Sequence, residues 1–384
     1  MDRPRRARIA MVLLIGNYAP DRQQSMQRFS TMMLAGLTSA GIAAELIAPE
    51  PLFGSFHGPG GFVAKWLGYV DKFILFPRRL KRRLARGVDV VHICDHSNAM
   101  YASHCANTPV VTTCHDLLAV RGGLGEDTDC PASSAGRLLQ RWILRGLGRA
   151  NVIACDSLAT LADAQRLIKS EPQPRMEVVT LGLNFPYRKI APQEIDARLA
   201  GLPQLDPKKP FILSVGSNLR RKNRDGVLRI FAQTKDAWEG QLVFAGEPLT
   251  TALHSLGHEL GVASRVVEVV EPENAMLEAL YNRATALVYP SRFEGFGWPI
   301  AEAQACGCPV ICGDRAPLPE VGGDAALIRS VEDEEGFASD ILRMTNPAEH
   351  DAWSAKSLRN AERFSTARMI AEYIELYRSI GAQV

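Results

Sequence analysis

Long hydrophobic runs are missing from this sequence. The apolar stretch nearest the start, Ile9–Ile15, is about half the length of even a short membrane span, so no transmembrane helix is expected. Arg3, Arg5, Arg6 and Arg8 precede it as in a secretory leader, but Asn17, Pro20 and Asp21 come after it without a small-residue cleavage pattern. The stretch therefore reads as a first buried strand. Net charge is also scarce: 44 Lys and Arg against 42 Asp and Glu leave +2. With no aromatic-basic stacking motif beside the charges, that balance argues against a nucleic-acid partner. There is no internal repeat or low-complexity segment, no G-x-S-x-G elbow and no phosphate loop ending in G-K-[ST], so the chemistry those motifs carry is set aside.

Cysteine is sparse, with eight scattered residues mostly flanked by apolar neighbours. They form no disulfide framework and fit a reducing, cytosolic compartment. Cys306, Cys308 and Cys312 run through Pro309 into an apolar strand without a fourth ligand, which reads as small buried residues rather than zinc. Asp127-Thr-Asp129 has the spacing of a metal-binding D-x-D but lies in a Gly-rich loop without the matching strand. No metal or other cofactor is expected.

What the chain does have is a substantial core, at 46% hydrophobic and 22% charged residues, and enough length for two domains or at most three. Disorder, collagen and coiled coil are excluded as the main architecture. Short apolar runs recur between helical patterns: Ile9–Ile15, Val88–Cys94, Val110–Thr113, Val152–Ala154, Phe211–Val215, Leu242–Ala245, Ala286–Tyr289 and Pro309–Cys312. That alternation predicts an α/β fold of parallel sheets covered on both faces. The rhythm breaks between Asn184 and Pro210, where five prolines surround one short helical piece. The expected organisation is a Rossmann-like domain over 1–190, a linker over 191–207, a second doubly wound domain over 208–365, and a closing amphipathic helix over 366–384 able to pack back on the first domain. Ligands of such sheets bind beyond the carboxyl ends of the strands, so two facing sheets are expected to enclose a cleft.

The richest segment is Val288-Tyr-Pro-Ser-Arg-Phe-Glu-Gly-Phe-Gly-Trp-Pro-Ile-Ala-Glu302. A strand ends at Tyr289, a glycine-containing loop comes next, and Pro299 sits where a first helical residue is favoured. The amides from Gly295 to Trp298 then present the positive end of a helix to an anion such as phosphate. Glu294 in the loop and Glu302 one turn into the helix suit vicinal hydroxyls, as in a ribose or pyranose. The combination points to a sugar joined to a nucleoside through phosphates.

This segment resembles the E-x7-E signature of retaining nucleotide-sugar glycosyltransferases of family 4, which have the GT-B architecture of two Rossmann-like domains facing across a cleft. The resemblance continues through "AEAQACGCPVICGD" and "PLPEVGGDAAL", and through "LSVGSNLRRKNRDGVLRIFA", Leu213 to Ala232, where a strand ends at Gly216. It implies that Glu302 holds the donor ribose and Glu294 contacts the transferred sugar. Gly295, Phe296 and Gly297 contact the sugar or diphosphate through loop amides, beside Gly216. Arg221 and Lys222 clamp the departing diphosphate, with Arg220 an adjacent alternative. In the first half "VVTTCHDLLAV" resembles the family's V-V-T-x-H-D-L and assigns His115 to the transferring sugar or β-phosphate, with Asp116 orienting it or capping the next segment. His92, Asp95 and His96 are candidates for the acceptor side. The first loop departs from the family: "GNYAPDRQQSMQRF" lacks the usual Gly-Gly pair and keeps only Gly16 and Ser25-Met26 as candidates for donor contact.

The function so implied is retaining, metal-independent transfer of a sugar, with a lean to mannose, from a nucleotide sugar to a glycan or lipid-linked acceptor in envelope polysaccharide or glycolipid synthesis. The alternatives are a nucleotide-sugar epimerase or a non-catalytic nucleotide-sugar binder on the same fold. Residues 65–86 hold eight Lys or Arg against one Asp, interleaved with Trp66, Tyr69, Phe73 and Phe76. Such a stretch suits an anionic membrane surface and would place a cytoplasmic protein at the inner face of the plasma membrane. The near-neutral total is a cancellation: residues 1–192 carry 24 basic and 15 acidic side chains, and the remainder 20 and 27.

Overall fold

The computed structural model describes residues 11–21, 23–54, 62–105 and 107–384, with the side chains of 62–65 not described. The arginines before Ile9, the start of the first predicted strand at Ile9 and Ala10, and the Lys65 side chain lie outside the described residues. The chain divides into two compact units, one comprising the residues up to Asn184 together with Thr366–Val384, the other Phe185–Ser365. Each unit holds one six-stranded, wholly parallel sheet.

In the first unit the strands are β1 (Met11–Ile15), β2 (Ala43–Ile47), β3 (Val90–Ile93), β4 (Val110–Cys114), β5 (Val152–Cys155) and β6 (Arg175–Val178), in the order β2-β1-β3-β4-β5-β6. In the second they are β7 (Phe211–Gly216), β8 (Gln241–Gly246), β9 (Val266–Val270), β10 (Ala286–Tyr289), β11 (Val310–Gly313) and β12 (Ala326–Arg329), in the order β12-β11-β10-β7-β8-β9. Helices cover both faces of each sheet, so inner strands such as VVHI of β3 and ALVY of β10 are buried at every position. A parallel strand buried on two faces needs an unbroken apolar run, and these runs are what the sequence displays. In both sheets the chain reverses its direction of travel once: between β1 and β3 in the first, between β7 and β10 in the second.

The final helix, Thr366–Ser379, packs in the first unit. Its apolar stripe of Met369, Ile370, Tyr373, Ile374 and Tyr377 is buried. Its hold is also polar: Tyr377 is hydrogen-bonded to His92 Nδ1 (2.7 Å), His92 Nε2 to Thr113 Oγ1 (2.7 Å), and Thr113 to the Tyr373 hydroxyl (2.7 Å). Within 191–207 the structure forms a helix, Pro192–Leu199, that belongs to the second unit. There Arg198 donates to Glu278 Oε2 at 2.6 Å, so the prolines punctuate a packed element.

Candidate functional site

The loops beyond β7 and β10 lie side by side because these neighbouring strands are where the second sheet reverses, the position at which open parallel sheets admit ligands. Backbone groups of both loops take part in joining them. The Arg292 amide donates to the Arg221 carbonyl (2.7 Å), and Asn223 Nδ2 donates to the Pro290 carbonyl (3.1 Å). Asn223 itself adopts the left-handed conformation, at φ 54°, where asparagine is among the tolerated residues. It closes the single turn Arg220–Lys222 and opens the helix Arg224–Gln233.

This stitching brings together three of the predicted residues. Arg221 Nη1 donates to Glu294 Oε2 at 2.8 Å and to the Phe293 carbonyl at 2.9 Å. Lys222 Nζ donates to Glu294 Oε1 at 2.6 Å and to the Tyr289 hydroxyl at 2.8 Å. Tyr289 in turn donates to Glu294 Oε1 at 2.8 Å. Burial alone would raise the Glu294 carboxyl, but Lys222 and Arg221 beside it, with the hydrogen bonds from Lys222 and Tyr289, hold it down to about 2. Burial lowers the Lys222 ammonium against the pull of Glu294. Gly216 sits at φ 150°, a backbone conformation that residues with a side chain rarely adopt, and Lys222 Cδ passes at ordinary contact distance, 3.4 Å from where a Cβ would stand. Arg220, the adjacent alternative, is exposed.

The second glutamate is fixed separately. Gly297 caps the helix Trp298–Ala305 at φ 98°, with Pro in its first turn, and a Cβ at Gly297 would lie 3.0 Å from Leu318 Cδ2. Glu302 is buried one turn further on, where the Tyr281 hydroxyl donates to its Oε2 at 2.8 Å. Gly295 is partly exposed in the loop, and Phe296 is buried with its ring edge-on to Phe364 at 5.8 Å. Sequence reasoning missed Tyr289 and Tyr281. The first was legible as the last residue of a predicted strand next to the glutamate loop; the second lies 21 residues from its partner on another helix and carries no local signal.

In the first unit, His115 stands just past β4 and is enclosed, at 4% exposure. Its Nδ1 is 2.6 Å from Asp156 Oδ2, and its Nε2 donates to the Cys94 carbonyl at 2.9 Å. Burial would lower its pKa, but Asp156 dominates and raises it to about 9, so the proton stays with the pair. Asp116 caps the next segment, accepting from the Leu118 amide at 2.9 Å. Asp95 lies at the carboxyl end of β3 and caps the turn beyond it, accepting from the Ser97 amide at 3.0 Å. It also accepts from Asn17, which stands in the first loop. His96 is buried beside it. His92 does not join this group. It is fully enclosed between β4 and the final helix, and burial, with His115 nearby, pushes it down to about 3, so it acts as a neutral fastening of that helix rather than as an acceptor-side residue. Cys306, Cys308 and Cys312 are buried free thiols. Among the described residues no cluster of His, Cys, Asp and Glu is arranged to hold a metal ion, and no helix is long and apolar enough to cross a membrane.

Two doubly wound parallel sheets, with a Lys, Arg and Glu constellation at the reversal point of the second, define a GT-B protein. The family model for glycosyl transferases group 1 matches residues 202–357, and that for glycosyltransferase family 4 matches residues 26–185. The chain belongs to glycosyltransferase family 4 and is a glycosyltransferase. Among curated relatives, the O-antigen chain mannosyltransferase B of Escherichia coli is 27% identical over 323 residues, covering 79% of this chain and 78% of the relative. A D-inositol 3-phosphate glycosyltransferase of Rhodococcus opacus is 29% identical over 288 residues, covering 70% of this chain and 62% of that relative. Among solved structures, the sucrose-phosphate synthase of Thermosynechococcus elongatus superposes with a TM-score of 0.75 at 19% identity, covering 98% of this chain and 100% of the other. The Anabaena protein HepE, in complex with UDP and glucose, superposes with a TM-score of 0.72 at 16% identity, covering 96% and 100%.

Proposed function

We propose that this glycosyltransferase moves a sugar from a nucleoside-diphosphate sugar with retention of anomeric configuration and without a metal. The observation that carries this reading is the constellation of Arg221, Lys222 and Glu294 at the β7/β10 reversal. Breaking the bond from the anomeric carbon to its phosphate oxygen leaves a diphosphate with new negative charge, and two fixed cations stabilise that charge as it forms. Lys222 uses two of its three N–H donors on Tyr289 and Glu294, which leaves a third for phosphate. The acceptor oxygen forms its bond to the anomeric carbon on the face the diphosphate leaves, and its proton passes to a phosphate oxygen. No side-chain nucleophile is needed. Glu294 holds the transferred sugar, Glu302 the ribose, and the amides from Gly295 to Gly297, beside Gly216, the phosphates. His115 of the first unit, which the resemblance assigns to the transferring sugar or β-phosphate, has its ring nitrogens engaged by Asp156 and the Cys94 carbonyl.

Mannose is the favoured sugar, supported by the likeness to a mannosyltransferase, and a glycan or lipid-linked acceptor of envelope polysaccharide or glycolipid is the favoured partner. An anionic membrane surface, at the cytoplasmic face, is supported by the first unit. Its helix Phe62–Val70 runs through a wider turn, Asp71–Leu75, into the helix Phe76–Leu84. The one acid of this stretch, Asp71, turns inward to accept from the Tyr18 hydroxyl (2.9 Å) and the Gly54 amide (2.9 Å), while Trp66 and Ile74 stay exposed. Phe73 meets Trp142 at 5.1 Å, on the helix Ser134–Leu147, whose exposed Leu138 and Trp142 lie among Arg137, Arg141 and Arg145. Lys72, Arg79 and Arg83 are partly compensated by Asp21, Glu50 and Glu45. Co-sedimentation with liposomes tests the surface: binding that rises with anionic lipid is expected, and indifference to lipid charge removes this partner.

The test of the reaction is a panel of UDP-, GDP- and ADP-sugars with the product's anomeric configuration read by NMR. Retention with full activity after exhaustive chelation is expected. Inversion, or activity restored only by added metal, contradicts the proposal.

A further inference from the structure

We propose that Tyr289 and Tyr281 are positioning residues of the donor site, each holding one glutamate of the E-x7-E segment, and that Tyr289 also holds Lys222 at a fixed place relative to Glu294. The inference rests on the proposed function, in which Glu294, Glu302 and Lys222 contact the donor.

The two tyrosines come from unrelated elements. Tyr289 is the last residue of β10, paired in register with Cys312 of β11, and Tyr281 lies on the helix Asn274–Arg283. Tyr289 is 2% exposed and Tyr281 0%. A phenol buried that far must find a partner for its hydroxyl, and each finds a carboxylate oxygen at 2.8 Å. A glutamate has three rotatable side-chain bonds and loses freedom when a ligand fixes it, whereas a tyrosine ring wedged in a core has none to lose. Each phenol therefore orders its carboxylate before the ligand arrives.

The backing differs. Tyr281 is buttressed by the Tyr187 ring, edge-on at 5.8 Å, on the stretch where the chain enters the second unit. That stretch is strapped to the same helix by the Arg188 amide donating to Glu278 Oε1 (3.0 Å) and the Ile190 amide to Asn282 Oδ1 (3.0 Å). Tyr289 touches charges of both signs, donating to Glu294 and accepting from Lys222. Tyr281 thus sets one carboxylate, and Tyr289 sets a cation-carboxylate distance.

Tyr281→Phe and Tyr289→Phe keep ring and volume, so the experiment is calorimetric titration of the full chain and both variants with UDP, GDP and ADP across pH, with thermal melts to check the fold. Glu302→Gln serves as the reference for the site itself. Tyr281→Phe is expected to weaken the tightest of the three nucleotides by about three- to tenfold, the scale of the net contribution of one ordinary hydrogen bond. Tyr289→Phe is expected to move the alkaline limb of binding to lower pH. Besides Tyr289, the charged groups around Lys222 are Glu294, Arg221 and Arg224; removing the hydroxyl takes away an acceptor from the ammonium, which then loses its proton sooner. A residue that only fills space would leave that limb unmoved. If Glu302→Gln weakens binding while either phenylalanine variant behaves as wild type, the assignment of that tyrosine is overturned and the site stands. If none of the three nucleotides binds the wild-type chain, or Glu302→Gln binds them unchanged, the reading of the site falls and the proposal with it.

Discussion

The two units share a topology and differ in how they treat charge at the reversal of their sheets. In the second unit, three ionised side chains meet at the mouths of β7 and β10, two of them cations turned on one carboxylate. In the first unit, the groups beyond β3, β4 and β5 are closed on one another: His115 on Asp156 and the Cys94 carbonyl, Asp95 on Asn17 and Ser97. One scaffold therefore carries a pair of cations suited to a diphosphate, and the other a buried proton-sharing pair. The contrast teaches that a parallel sheet fixes where a site lies while the loop residues decide its chemistry.

That comparison can be broken at its charged end first. Glu294→Gln is expected to lower transfer by about a thousandfold with the fold retained, and Lys222→Met by about a hundredfold, the scale of losing one preorganised charge at a reacting centre. Steady-state rates read both, and a loss below tenfold for Glu294→Gln removes the glutamate from the transfer step. In the first unit the large effect should fall on stability. Asp156→Ala strands a buried imidazolium and is expected to cost about 3 kcal/mol in urea unfolding; a cost near zero would show that the pair is not charged. The pair also has a pH signature. Its histidine is raised in the folded state, to about 9, so its contribution is full below the unfolded value of 6.5 and is lost as pH rises through 9. The melting-temperature gap between wild type and His115→Gln should accordingly close between those values. The smallest effect belongs to the fastening of the final helix: Tyr377→Phe removes one hydroxyl from His92 and should cost about 1 kcal/mol, with transfer unchanged.

The sequence was most readable where burial was deepest. All eight predicted strands exist, within a residue or two at their ends, and all lie inside the sheets. The four that were not predicted, β2, β6, β9 and β12, are the four edges. Physics explains the division: an edge strand is half covered, so Glu45, Glu177, Glu268 and Arg329 interrupt the apolar runs that mark the interior. Within the second unit the site was legible because its cations and Glu294 sit in loops with sharp backbone demands, at Gly216, Asn223 and Gly297. The tyrosines behind them were not, since a hydroxyl that meets its carboxylate across two elements leaves no spacing in the sequence. His92 was misleading for the opposite reason. Its place at the end of a strand resembled that of a ligand-facing residue, while its partner Tyr377 lies 285 residues away.

The central claim is that Arg221 and Lys222 form a clamp for diphosphate, and it is tested most directly by comparing a nucleoside with its own diphosphate. Calorimetry of the wild-type chain and of the Arg221→Met, Lys222→Met double variant, each titrated with guanosine and GDP and then with uridine and UDP, isolates what the two phosphates contribute. Wild type should bind the preferred diphosphate at least about a hundredfold more tightly than its nucleoside, the scale of two charge-assisted contacts, and the double variant, left with the loop amides alone, should lose most of that preference. An undiminished preference for the diphosphate in the double variant would contradict the account.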